Sequence, residues 1–259
     1  VDDSGRLYED DGTVSHGLDD SDSQVILYYD QNEGKTRACS GGNVDNGVCN
    51  GTVKEFDEVD YLWSAADWLN QATVIPGTQR SEYNAASFDN TTRYIKTWVD
   101  ADIDGVVDSG EYQDFDSGMS TSLCNSTVIN WVRGLDQTGL RSRDLDFDFN
   151  NDGTEEINST WRLGDVVYSS PAVVGPPMEN YDLFWGDTTY SEFYRQYRHR
   201  RYMVYFGAND GMLHAVNSGF YSGADSTFYG SYNSSTQTYS ASGGPELGAE
   251  MWAYVPYNL

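Results

Sequence analysis

Residues 202–217 read Tyr202-Met203-Val204-Tyr205-Phe206-Gly207-Ala208-Asn209-Asp210-Gly211-Met212-Leu213-His214-Ala215-Val216-Asn217, two apolar runs divided by an Asn-Asp-Gly triplet. Aromatic and β-branched side chains suit a pleated, half-buried surface. Asn, Asp and Gly tolerate the backbone of a tight turn, so the stretch predicts a β-hairpin turning at 209–211. Alternation along the second run places His214 on a sheet face. Further strands are expected at 165–169, 172–174 and 250–255, each bounded by turn residues. The Gly/Ser/Tyr-rich segment 219–249 reads as a long loop or ragged hairpin inserted between blade strands. With 7 Trp, 20 Tyr and 10 Phe the apolar content is strongly aromatic, which favours strands over helices.

Upstream, the texture changes. Residues 59–69 place Leu62, Ala65, Ala66 and Leu69 at helical spacing, and Val128, Ile129, Trp131 and Val132 form an apolar patch over 126–133; a short amphipathic helix is expected at each. The first sixty residues are acidic and rich in Gly, Asn and Ser, with one strand expected at 24–29. The expected fold class is mainly β: partial, modified β-propeller blades in 126–259, behind an α+β, calcium-loop-containing portion in 1–125.

Fifteen Lys and Arg stand against 41 Asp and Glu in 259 residues, a net charge of −26. Such a charge repels phosphate backbones and anionic lipid, so nucleic acid is not an expected partner. No run approaches the ~20 apolar residues that span a bilayer. The start at Val1 does not read as a signal peptide, and the end near Leu259 reads as a strand cut off without a closing turn, so the chain is expected to be mature or part of something longer. Catalysis finds little support. His16, His199 and His214 show no metal spacing, and no nucleophile elbow or phosphate-cradling Gly loop occurs. Cys39 and Cys49 bracket a Gly/Asn-rich loop, which predicts a local disulfide in an oxidising compartment and leaves Cys124 over.

The sharpest motif is residues 100–111, Asp100-Ala-Asp102-Ile-Asp104-Gly105-Val106-Val107-Asp108-Ser109-Gly110-Glu111. It fills every ligand position of the twelve-residue EF-hand loop. Asp100, Asp102 and Asp104 occupy positions 1, 3 and 5, Gly105 is the turn glycine, Val106 offers its carbonyl, Asp108 is position 9 and Glu111 is the bidentate position 12. Five carboxylates this close repel one another unless a cation sits among them. The bland reading is an acidic solvated loop; calcium is the reading preferred. The preceding residues 94–99 fit a helix or a strand equally.

A second calcium candidate is Asp148, Asn150, Asp152, Thr154 and Glu156, with Asp146 in front; position 12 is Ser159, so the bidentate Glu is missing. Its bland alternative is an Asx-rich turn. The early acidic runs at 9–12 and 19–22 read as solvated surface. Arg195, Arg198, Arg200 and Arg201 read as a polar edge leading into the 202 strand, with a docking patch for an acidic surface as the alternative. Five Asn-x-Ser/Thr sequons, at Asn50, Asn90, Asn125, Asn158 and Asn233, are too short a pattern to be specific.

Three segments, 130–143 (Asn-Trp-Val-Arg-Gly-Leu-Asp-Gln-Thr-Gly-Leu-Arg-Ser-Arg), 161–175 (Trp-Arg-Leu-Gly-Asp-Val-Val-Tyr-Ser-Ser-Pro-Ala-Val-Val-Gly) and 202–217, followed by 248–256, together resemble in order and spacing the C-terminal region of PilY-type type IV pilus tip proteins. The resemblance covers about half of the chain, from residue 126 on. It implies a modified β-propeller, secretion through the periplasm to the cell surface or pilus tip, and a role in pilus assembly and calcium-responsive adhesion. Implied partners are pilin-like subunits or minor pilins, the remainder of the propeller or a companion chain, and an unidentified host or surface ligand. That family's calcium loop lies in a later blade, so residues 100–111 rest on their own spacing. Two other readings stay open: a structural subunit of an extracellular filament, and a quinoprotein-like propeller enzyme, which the Asp-Gly-Met-Leu-His-Ala turn also fits.

Overall fold

A computed structural model describes residues 6–9, 22–72, 92–119, 125–147, 156–224 and 227–256, with the side chains of 57, 117, 147 and 156–159 excepted. Strands β1 (Leu7–Glu9), β2 (Ser23–Asp30) and β3 (Lys35–Ser40) are followed by the short pair β4 (Val44–Asp45) and β5 (Val48–Cys49), then by β6 (Thr52–Lys54). Strands β1-β2-β3-β6 form an antiparallel sheet, where a single strand was expected. Cys39 on β3 and Cys49 on β5 form the expected disulfide, and Cys39 is fully buried. Cys124 lies outside the described residues.

Glu9 corrects the surface reading of the early acids. It is buried, taking hydrogen bonds from Ser40 Oγ and from Lys54 Nζ at 2.7 Å, so a neighbouring cation and hydroxyl stand in for water. Burial would raise its carboxyl, but Lys54 and Ser40 hold it below the usual range. The rest of that run, at 10–12, and residues 19–21 of the second lie outside the described residues.

Next come α1 (Ala65–Gln71), β7 (Ile95–Trp98), β8 (Tyr112–Asp114), α2 (Ser126–Val132), β9 (Asp144–Phe147), β10 (Glu156–Thr160) and β11 (Ala172–Val174). Helix α1 starts later than expected because Ser64 caps it, its Oγ accepting from Asp67 N at 3.2 Å. Asn125 caps α2 in the same way, through Val128 N at 3.0 Å. Two helices were not anticipated, α3 (Tyr181–Trp185) and α4 (Thr188–Tyr197). The latter begins where the Asp187 carboxylate accepts from the amides of Thr189 and Tyr190.

The chain ends in β12 (Tyr202–Gly207), β13 (Leu213–Ser222), β14 (Thr227–Tyr229), β15 (Ser231–Asn233), β16 (Thr238–Ser240) and β17 (Glu250–Val255). Strands β12 and β13 form the predicted hairpin, with Gly211 at φ +84° in the turn. The main sheet runs β11-β12-β13-β17-β7-β8, with β14 added on β13; the β17–β7 pair is parallel and the rest antiparallel. It therefore joins strands from both sides of residue 125. Residues 165–169 are not a strand: Val167 and Tyr168 are exposed and make no ladder. Segment 219–249 extends β13 and adds β14 and the β15–β16 hairpin.

Two apolar layers pack on the sheet. Ile95, Phe115, Ile129, Met212 and Ala253 join β7 and α2 to β17. Trp68, Leu69 and Ala72 of and after α1 pack on Ala249, and Ala65 meets Phe206 and Val216. Ile95, Ile129 and Val216 are fully buried, each contributing roughly 1.5–3 kcal/mol. The described residues are mainly β, with no closed barrel among them.

Candidate metal centre

Residues 99–111 connect β7 to β8, whose register pairs Trp98 with Tyr112. The loop is thus flanked by strands on both sides, which settles the choice left open for 94–99 in favour of a strand. Asp100 winds the chain around itself: its Oδ1 accepts from Asp104 N at 3.1 Å and its Oδ2 from Gly105 N at 3.0 Å. Asp104 Oδ1 accepts from Val106 N at 2.7 Å. Gly105 and Gly110 hold φ of +76° and +93°, which a side chain would strain; Ile103, at +63°, accepts that strain while remaining exposed.

These turns bring together Asp100, Asp102 and Asp104, whose carboxylate oxygens lie within 4.8 Å of one another. Two unit charges about 4 Å apart repel by about 1 kcal/mol even at the dielectric of water. Three such carboxylates form a hard-oxygen donor set suited to a divalent cation. Asp108 and Glu111 stand outside that group. Glu111 is buried and takes amide hydrogen bonds from Asp108 at 2.9 Å and Ala101 at 2.8 Å, with Trp98 Nε1 at 3.2 Å. Those amides, Asp108's first, hold its carboxyl below the usual range. Val106 is exposed. For the second candidate, Asp146 is exposed on β9 and Glu156 begins β10, paired with Phe147, while Asp148, Asn150, Asp152 and Thr154 lie outside the described residues.

Sequence reasoning missed a charged network beneath the sheet. Arg93 and Glu250, both essentially buried, form a two-pronged pair, Nε to Oε2 and Nη2 to Oε1 each at 2.9 Å, and Arg93 Nη1 donates to Arg133 O at 2.8 Å. His214 Nε2 lies 3.0 Å from Asp210 Oδ2, and its Nδ1 faces Glu250 Oε1 at 3.9 Å. Asp210, in the hairpin turn, also accepts from the amides of Gly164 at 3.2 Å and Met212 at 3.0 Å. Gly164 must be glycine for that approach, since a Cβ there would sit 2.3 Å from Asp210 N. Burial opposes the charge on His214, but Asp210 and Glu250 push it up to about 9. Burial likewise opposes Glu250, and Arg93 with His214 bring it down to about 2. The available signal was Glu250 and His214 standing inside apolar strand runs, where an ionisable group needs a partner.

No protein-family model matches the chain, and no solved structure matches it. Over 161 residues, 57% of this chain, the sequence is 30% identical to the type IV pilus biogenesis factor PilY1 homolog of Xylella fastidiosa (strain Temecula1 / ATCC 700964). The match spans 12% of that protein's length. This likeness hints at a PilY1-like family and a pilus-related role. Among the described residues, no helix is long and apolar enough to cross a membrane.

Proposed function

We propose that this chain is part of a PilY-type protein of the type IV pilus that acts outside the cytoplasm in pilus assembly and adhesion, by binding rather than by catalysis. The observation that carries the reading is the 30% identity over 161 residues to a pilus biogenesis factor. The Cys39–Cys49 disulfide fits an oxidising, extracytoplasmic compartment. Strands β11-β12-β13-β17 follow one another as a four-stranded antiparallel meander, the shape of one propeller blade, with β14–β16 inserted before the last strand.

Calcium is part of the proposal. Asp100, Asp102 and Asp104 would hold it, with the Val106 carbonyl, Asp108 and Glu111 completing the shell and Glu111 exchanging its amide hydrogen bonds for the ion. The ion supplies positive charge that fixes the β7–β8 connection. A second ion at Asp146–Glu156 would do the same for the β9–β10 connection. Immunogold electron microscopy of native filaments with an antibody to this chain tests the placement. Label confined to filament ends is expected; label at every repeat would make the chain a structural subunit.

A further inference from the structure

Lys35, Arg37, Lys54, Arg93 and Lys96 each meet a carboxylate. Arg141, Arg143 and Arg162 differ from these five. They line one cleft of about 280 Å3 together with Trp131, Trp161 and Asn209, and among the described residues none of the three lies in a salt bridge. Arg143 lies over the Trp131 ring, 4.0 Å from its centroid, and donates to Trp131 O at 2.7 Å. Arg162 is fixed by three backbone carbonyls, Gly134 at 3.0 Å and Leu69 and Asn70 at 2.6 Å. Both guanidiniums are thus held in place by neutral groups.

Two carboxylates also border the cleft, Asp165 and Asp210, but Asp210 is already engaged by His214. On the cleft wall three positive charges face one uncommitted negative; Asp136 and Asp144 also act on Arg143 and Arg162 from outside the lining, but form no ion pair with them. Burial bears on Arg162 enough to bring its guanidinium down to about 10, a cost that an entering anion would offset. The net charge of −26 does not cancel this attraction, because charges beyond about 8 Å are largely screened at physiological ionic strength. The volume is near the lower end of the roughly 300–1,000 Å3 usual for ligand sites, and flat indole and guanidinium faces suit a planar oxyanion.

We infer that the Arg141–Arg143–Arg162 cleft docks a carboxylate side chain of an acidic peptide segment, with Arg143 and Arg162 as fixed donors and exposed Arg141 at the rim steering the approach. It is a cation site for an acidic partner distinct from the Arg195–Arg201 stretch, where Arg200 and Arg201 bond within the fold, to Gly175 O and to Asn217.

The test is titration of the whole chain with capped hexaglutamate, followed through the indole N–H resonances of Trp131 and Trp161. Saturable shifts of both are expected, with none on adding hexaglutamine. Arg141→Glu, an exposed position that leaves the fold intact, should weaken the affinity about tenfold or more, and Arg143→Lys should weaken it while keeping the charge. Absence of saturable shifts, or equal affinity in Arg141→Glu, overturns the inference. Inorganic phosphate binding as tightly as hexaglutamate also overturns it, leaving an unspecific anion trap.

Discussion

Two connections in the main sheet carry carboxylates, and they are neutralised in opposite ways. At the β12–β13 turn, Asp210 points inward and meets His214, while Arg93 and His214 surround Glu250, so every charge has an opposite within the protein. In the β7–β8 loop, Asp100, Asp102 and Asp104 converge on one another. The hydrogen bonds that the Asp100 and Asp104 carboxylates accept come from amides of the same loop. The first arrangement folds with its counter-ions built in. On the proposed reading the second is filled by a cation from solution, so the two regions should differ in how they respond to mutation, pH and chelation.

The largest effect should come from the built-in pair. Arg93→Met leaves Glu250 buried without its closest counter-ion and should cost on the order of 3–5 kcal/mol in urea unfolding, while Arg93→Met with Glu250→Met should recover part of the loss. A single variant no worse than the double would break the comparison.

The pH response sharpens it. His214 moves from 6.5 to about 9 on folding, so its stabilisation is fully present below pH 6.5 and is lost as pH rises through about 9, on the order of 3 kcal/mol across that window. Glu250, lowered from 4.5 to about 2, contributes above pH 4.5 and loses its contribution as pH falls towards 2. Melting temperature should therefore fall between pH 6.5 and 9.5, and His214→Gln should flatten that fall. An unchanged slope in the variant would remove His214 from the network.

A smaller effect belongs to the loop. At a calcium concentration 100 times the dissociation constant, binding should add about 2.7 kcal/mol of apparent stability, removed by a chelator and absent in Asp102→Asn. The Arg93→Met variant, if folded, should keep this increment. The smallest effect is at Ile103, whose left-handed backbone costs a side chain about 1 kcal/mol. Ile103→Asn should regain a fraction of that in thermal melts and leave the pH profile unaltered.

The Asn-Asp-Gly turn and its flanking strands could be read from residues 202–217 because local turn chemistry and apolar runs agree there. The acidic spacing of 100–111 was equally plain. What escaped was non-local. Arg93 sits in no motif, and its bond to Glu250 spans 157 residues. The buried state of Glu9 depends on Lys54, 45 residues away. Helix α4 escaped because aromatics such as Tyr190, Phe193, Tyr194 and Tyr197 favour strands by propensity, while the Asp187 cap and the tilted contacts of Tyr190, Phe193 and Tyr197 along one helix face decide the outcome. Strand β7 joins β17 in parallel across more than 150 residues, a pairing that no local pattern encodes.

Calcium titration by calorimetry, on the intact chain and on Asp102→Asn, examines the loop most directly. The wild-type chain should take up one more ion than the variant, with saturable heat, whatever happens at residues 146–156. Identical uptake by the two proteins, or no binding heat in either, would contradict a cation-filled loop at 100–111.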